Sequence, residues 1–137
     1  MDDPKLANIR QEWFWVKEGV EEILNLDPNL TYKPEDIYAS VLAGDSHLWT
    51  HPDFFVVTTI EHDVFNNQNT LLIWLSWSVA RGKGNAARHF KFFESVARQC
   101  GCQHIQVRTP HKRVGDYIEQ ELGWPCIDRI YGKDLEV

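Results

Sequence analysis

Cysteine is scarce in this chain. Cys100, Cys102 and Cys126 are an odd number and too few for a disulfide framework, so a reducing, cytoplasmic setting is the expectation. Long apolar runs are missing as well. The longest, residues 71–75 with Trp77 and Val79 beyond, is interrupted by serines and falls far short of the roughly 20 residues a membrane span needs. The chain opens Met1-Asp2-Asp3-Pro4, acidic where an export signal would be basic. Neither a membrane partner nor secretion is expected. Basic residues are few in the first half: residues 1–70 hold 4 Lys/Arg against 13 Asp/Glu. Residues 71–137 hold 10 against 7, within an overall net charge of −6. An acidic chain is a poor general binder of nucleic acid, yet its positive half suits a small polyanion.

Apolar and aromatic residues are plentiful. Of 137 residues 43% are hydrophobic, with 6 Trp and 7 Phe, enough for one folded domain with a real core and too short for two. There is no internal repeat, low-complexity tract or linker. Residues 5–25 place Leu6, Ile9, Trp13, Val16, Val20 and Ile23 on one stripe of a helix. A second helix is expected over 31–43, with Pro34-Glu35-Asp36 as its first turn and Gly44 at its end. The period then changes. Residues 47–51 and 54–62 read as strands split by Pro52-Asp53, and 66–69 as a turn. Residues 71–79 read as a strand apolar on both faces, Leu71, Ile73, Leu75, Trp77 and Val79 alternating with Leu72, Trp74, Ser76 and Ser78. A helix over 85–99, a strand around Ile105 and Val107, a helix over 112–121 and a strand over 127–131 complete an α-α-β-β-β-α-β-α-β order.

The chemistry concentrates in Arg81-Gly82-Lys83-Gly84-Asn85-Ala86, between a strong strand and an amphipathic helix. A helix N-terminus presents unpaired N–H groups and the positive end of a dipole. Glycines at 82 and 84 let phosphate oxygens reach those amides, and Arg81 and Lys83 add charge. A ligand-free glycine turn is one reading. A dinucleotide fingerprint, Gly82-x-Gly84-x-x-Ala87, is another, but it follows the third of three strands and leaves too little chain for a doubly wound sheet. No Gly-Lys-Ser/Thr follows, so a Walker A loop does not fit. His47-x-x-x-His51 lies along a strand and Cys100-x-Cys102 flanks a helix-ending glycine, so no metal site is expected of either.

Arg81-x-x-Gly84-x-Ala86 resembles the Q/R-x-x-G-x-G/A signature of the GNAT acetyltransferase superfamily. The strand before it, the strand after the following helix and the closing Leu122-Gly123-Trp124 are similar to that family's elements over about residues 31–137. The resemblance implies an α/β (α+β) fold, a mixed central sheet flanked by helices, with the usual first strand replaced here by the N-terminal helix. It implies acetyl-CoA as co-substrate, its pyrophosphate on the amides of Gly82, Lys83, Gly84, Asn85 and Ala86. Its pantetheine arm would lie along Ser76, Trp77 and Ser78, where the strand parts from residues 103–108. An N–H near Ser76 or Trp77 would face the thioester oxygen. The implied activity is N-acetyl transfer to a small-molecule or peptide amine.

The family's catalytic pieces do not carry over as cleanly. Glu119 stands at the position of the family's Tyr, and Tyr117 lies two residues earlier, about 200° away on a helix. Residues 71–79 contain no acidic side chain that could act as base, which leaves Glu61 and His62 as the nearest substitutes. The Trp-rich first helix and the Gly-Trp element also resemble short phage-encoded GNAT-like proteins, some tied to head assembly. That leaves open a weakly active or inactive protein with a structural role in the host cytoplasm, as a homodimer or with an assembly partner.

Overall fold

The computed structural model describes residues 3–80 and 86–136. A two-residue strand, β1 (Lys5–Leu6), leads into helix α1 (Ile9–Leu26) and helix α2 (Pro34–Leu42). Strands β2 (Ser46–His51), β3 (Phe54–Asp63) and β4 (Gln68–Ser78) follow as a meander. A 3₁₀ turn (Ala87–His89) precedes helix α3 (Phe92–Gln99), then strand β5 (His104–Val107) and helix α4 (Lys112–Tyr117), which widens into a π turn (Ile118–Leu122). The strands form one mixed sheet in the order β1-β2-β3-β4-β5. Neighbours are antiparallel except β4 and β5, which run parallel and are joined through α3 as the strand–helix–strand pattern predicts.

Local chemistry sets these boundaries. Asn8 caps α1, its side-chain oxygen accepting the Arg10 N–H at 2.9 Å, so the helix starts at Ile9 and not at Lys5. The residues before the cap pair with β2, Lys5 opposite Thr50 and Leu6 opposite Trp49. The first strand is therefore present, and the helix does not replace it. Asp36 accepts the Lys33 N–H at 2.8 Å and fixes the start of α2. The last helix stops at Gly123, whose φ of 71° lies in the left-handed region. The strand expected over 127–131 does not form: residues 123–136 carry no regular structure. From Ala86, where the described residues resume, the helix expected over 85–99 is wound tightly at first, with i→i−3 bonds from His89, Phe90, Phe93 and Glu94 that run into the first turn of α3.

The sheet carries a core on each face. Toward α3 and α4 lie Phe54, Val56, Leu71 and Ile73, packed with Phe90, Phe93 and Ile118. Toward α1 and α2 lie Leu48, Phe55, Val57 and Leu75, packed with Val16, Val20 and Ile37. β4 contributes to both faces in an order that simple alternation does not give. Val57 pairs with Leu75 and Thr58 with Ile73, which leaves Trp74 as an extra residue in β4. This bulge inverts the parity of the strand. Leu71 and Ile73 face α3, while Leu75 and Trp77 face α1, so the single stripe expected from residue 71 to 79 is divided between the two cores.

Candidate functional site

The bulge also marks where the sheet opens. The β4–β5 ladder runs from Thr70↔His104 to Ile73↔Val107 and ends there. Residues 74–78 continue for about 16 Å at strand rise, still paired to β3 through Leu75, Ser76, Trp77 and Ser78. Along their other edge no described residue forms a ladder with them. A bulge adds local twist and bends its strand, so its place at Trp74 accounts for the parting of β4 from β5 one residue after the last pair. The result is a stretch of strand edge, residues 74–78, that has no ladder partner among the described residues although it lies inside a sheet; this edge is called the slot below.

In sequence, β4 runs on into the glycine loop. Ser78 closes β4, and its Oγ accepts the Ala86 N–H at 3.1 Å, which ties the two sides of the loop together. Val79 donates its N–H to the Asp53 carbonyl at 2.8 Å. Ala86 is buried and already helical, with φ −64° and ψ −44°. Arg81, Gly82, Lys83, Gly84 and Asn85 lie outside the described residues. Of the amides expected to hold pyrophosphate, that of Ala86 is committed to Ser78.

The Trp77 side chain points away from α3, toward α1. Its Nε1–H donates to Glu22 Oε2 at 2.8 Å. Its ring stacks on Phe55 at 5.8 Å and 29° and lies 6.3 Å from Trp15. Gly19 makes this packing possible, because a Cβ there would fall 2.5 Å from a Phe55 ring carbon and 2.8 Å from one of Trp77. Trp77 thus offers the slot its backbone, while its side chain locks that backbone to α1. Glu22 and Gly19 have no counterpart in the motif reading. The one available signal was a glycine in the middle of an otherwise good helix. On the same side Tyr32 meets Trp74 edge to face at 5.4 Å, and burial, then the nearby Asp27 charge, pushes its hydroxyl pKa up.

No family model matches the sequence, and no curated protein matches it. Solved structures do match in shape along nearly the whole chain. The BH1408 protein of Bacillus halodurans, solved as a tetramutant, aligns with a TM-score of 0.75 at 13% identity, covering 98% of this chain and 100% of that one. The aminoglycoside N-acetyltransferase AAC(6')-Iy in complex with CoA aligns at 0.63 and 15%, covering 98% and 100%. The aminoglycoside acetyltransferase meta-AAC0020, from an uncultured soil metagenomic sample and in complex with sisomicin, aligns at 0.68 and 5%, covering 97% and 96%. The fold is that of the GNAT acetyltransferases.

Within this GNAT fold the four candidate acid–base residues fall in separate places. Glu61 and His62 lie late in β3, opposite Thr70 and Asn69, which is about 20 Å along β4 from Ser76 at strand rise. The sheet does not bring His62 to the slot; it is exposed and its Nδ1 lies 2.6 Å from Asn69 Oδ1. Glu61 is exposed and ion-paired with Arg108 at 2.6 Å. Arg108 follows the last residue of β5, so this pair spans from the end of β3 toward the mouth of the slot. Tyr117, in α4, is half-buried against the core cluster that contains Ile73, with Val107 packed on it, the last β4–β5 pair. Glu119, two residues on, is exposed. The burial that would make a carboxyl group an effective acid is absent there. Of the two, Tyr117 packs on the core between the sheet and α3, and Glu119 is turned to water. Cys102, half-buried against the same core, has its thiol pKa pushed up by burial and then by Cys100.

Proposed function

We propose that this protein is an acyl-CoA-dependent N-acyltransferase that takes acetyl-CoA as donor and an amine as acceptor. The observation that carries the proposal is the parting of β4 from β5 at residue 74, on the strand that feeds directly into Arg81-Gly82-Lys83-Gly84-Asn85-Ala86. A pantetheine arm has alternating amide and carbonyl groups, which complement the free edge of residues 74–78 as an added strand would. The loop that follows supplies glycine amides and the charges of Arg81 and Lys83 for the pyrophosphate. Acetyl-CoA bound this way brings its thioester beside the N–H groups of Ser76 and Trp77.

The transfer itself is an addition and an elimination. A neutral amine attacks the thioester carbonyl, an N–C bond forms, and the oxyanion is held by a β4 N–H. The intermediate collapses with cleavage of the C–S bond, the ammonium proton passes to a base or to water, and the CoA thiolate takes a proton. Tyr117 is the donor in this reading, because it is the one candidate that packs on the core beneath the slot. Glu61, held by Arg108, is better suited to electrostatic steering than to proton transfer. The excess of acidic residues over 1–70 complements a cationic amine. Proximity alone accelerates such a reaction, and acid–base help adds about 10² to 10⁴.

Calorimetric titration with CoA, followed by acetyl transfer to a panel of amines that includes aminoglycosides, tests the reading. Saturable CoA binding with transfer to at least one amine is expected. CoA binding without transfer to any amine would move the protein to a binding or assembly role. No CoA binding would remove the proposal altogether.

A further inference from the structure

The tip of the β3–β4 hairpin holds two adjacent apolar residues out from the molecule. Val64 and Phe65 are 76% and 97% exposed. Apolar residues scattered singly over a surface are ordinary, but these two sit together on a braced turn. The Asp63 carboxylate accepts the Phe65 N–H at 2.8 Å, and the Asp63 carbonyl accepts the Asn67 N–H at 2.9 Å. The Asn66 side-chain oxygen accepts the Gln68 N–H at 3.0 Å. Asn67 closes the turn at φ 58°, left-handed backbone in which asparagine is enriched. Pairing of β3 with β4 continues to Asp63↔Gln68, past the last pair of β2 with β3 at Ser46↔Thr59. At strand rise the tip therefore stands about 13 Å beyond the end of β2.

An open groove of about 540 Å³ lies at the same end of the sheet. It is lined by Leu6, Ala7 and Ile9 from the chain between β1 and α1, by Val41 and Leu42 at the end of α2, and by Arg10. Ile9 is buried, while Leu6 and Leu42 are 61% and 47% exposed. Leu6 pairs with Trp49 and the Ala7 N–H donates to the Leu48 carbonyl, so this stretch runs toward Ser46. Ser40 of α2 meets Ser46 of β2, Oγ to Oγ at 2.7 Å, which sets the other wall at that end too. We propose that Phe65, with Val64 beside it, docks into this groove on a second copy of this chain, and that the docking is reciprocal about a two-fold axis. Both surfaces are apolar. Their charges are opposite, since Asp63 adjoins the apolar pair and Arg10 borders the groove. Because tip and groove share one end of the sheet, a single two-fold axis beyond that end brings each tip to the other copy's groove. A lipid surface fits the tip less well: residues 61–69 contain Glu61 and Asp63 and no Lys or Arg to meet anionic headgroups.

The area suits a reversible pair. Phe65 brings about 200 Å² of surface, and Val64 adds to it. Counted for two tips and for an equal area of two grooves, the contact reaches roughly the 1,000 Å² that a specific interface needs. The dimer is therefore one that forms and dissociates with concentration. It does not rest on the acyl-CoA reading, because the tip lies at the start of β4 and residues 74–78 at its end.

Sedimentation equilibrium of the intact chain, from micromolar to near-millimolar concentration, tests the proposal. The wild type is expected to rise from the 16.0 kDa chain mass to twice that value and to stop there. Phe65→Ser at the tip and Leu42→Lys in the groove are each expected to weaken association by about a hundredfold, since a two-fold pair loses the altered contact twice. Both residues are exposed in the single chain, so circular dichroism of the variants is expected to match the wild type. A wild type that stays single throughout, whether or not it binds phosphatidylserine vesicles, would overturn the proposal. So would a mass that climbs past twice the chain mass, or a dimer that survives either substitution.

Discussion

Gly19 is the position where a single carbon separates two opposite outcomes. In a helix interior alanine is favoured over glycine by about 1 kcal/mol, from backbone entropy alone. At Gly19 the added Cβ would meet Phe55 at 2.5 and 2.9 Å and Trp77 at 2.8 Å, inside any tolerable carbon–carbon contact. Neither ring can step aside freely. Phe55 is completely buried, meets Trp15 edge to face and stacks on Trp77, and Trp77 is also tethered to Glu22. Overpacking of this kind costs about 1–3 kcal/mol. The net expectation for Gly19→Ala is a loss of up to about 2 kcal/mol once the propensity gain is subtracted. Gly115, within α4, is the internal control, because a Cβ there meets nothing within 4 Å. Gly115→Ala is expected to gain about 0.5–1 kcal/mol. Urea denaturation reads both as opposite shifts in midpoint at unchanged slope. Because Trp77 sets the backbone of the slot, Gly19→Ala should also weaken CoA binding while Gly115→Ala should not. If Gly19→Ala is as stable as wild type and binds CoA equally well, the packing of Trp77 on α1 does not position the slot.

Further outcomes follow from the same geometry. Trp77→Phe keeps the ring stack and removes the donor to Glu22, a charge-assisted bond in a half-buried setting. It should cost about 1–2 kcal/mol in chemical denaturation. Tyr117→Phe should slow acetyl transfer by at least tenfold with little change in CoA affinity, whereas Glu119→Gln should leave kcat within about twofold, since Glu119 is exposed. Steady-state rates with a good amine acceptor separate the two. Cys102 has a raised thiol pKa, so less of it is thiolate at a given pH, and it should react with iodoacetamide several-fold more slowly than exposed Cys126. Mass spectrometry of a timed labelling series gives the order.

Elements with a long period were legible in the sequence, and elements without one were not. The stripe of Val16 and Val20 in α1, the aromatic and β-branched run of β3 and the helix–strand switch around α3 each extend far enough to name their structure. Two residues of β1 carry no period at all, and the Asn8 cap that ends them was the sole local sign. The bulge at Trp74 was invisible because an inserted residue looks like any other. The strand stayed apolar on both sides, and only the pairing of Val57 and Thr58 reveals the inversion. Residues 127–131 have strand composition, yet composition does not supply a neighbour to pair with. At the site, the glycine loop announced itself because a phosphate cradle needs small residues in sequence. Glu22 did not, because a glutamate on the wet side of a helix reads as a solubilising residue until Trp77 is seen to donate to it.

The position of bound CoA is decisive. Backbone amide chemical shifts followed during a CoA titration locate it residue by residue. The predicted result is that the largest changes fall on residues 74–78 and on Gly82 and Gly84, with little change along β2 or at Glu61 and His62. Saturable binding whose shifts cluster elsewhere, or no shifts at all, would contradict it.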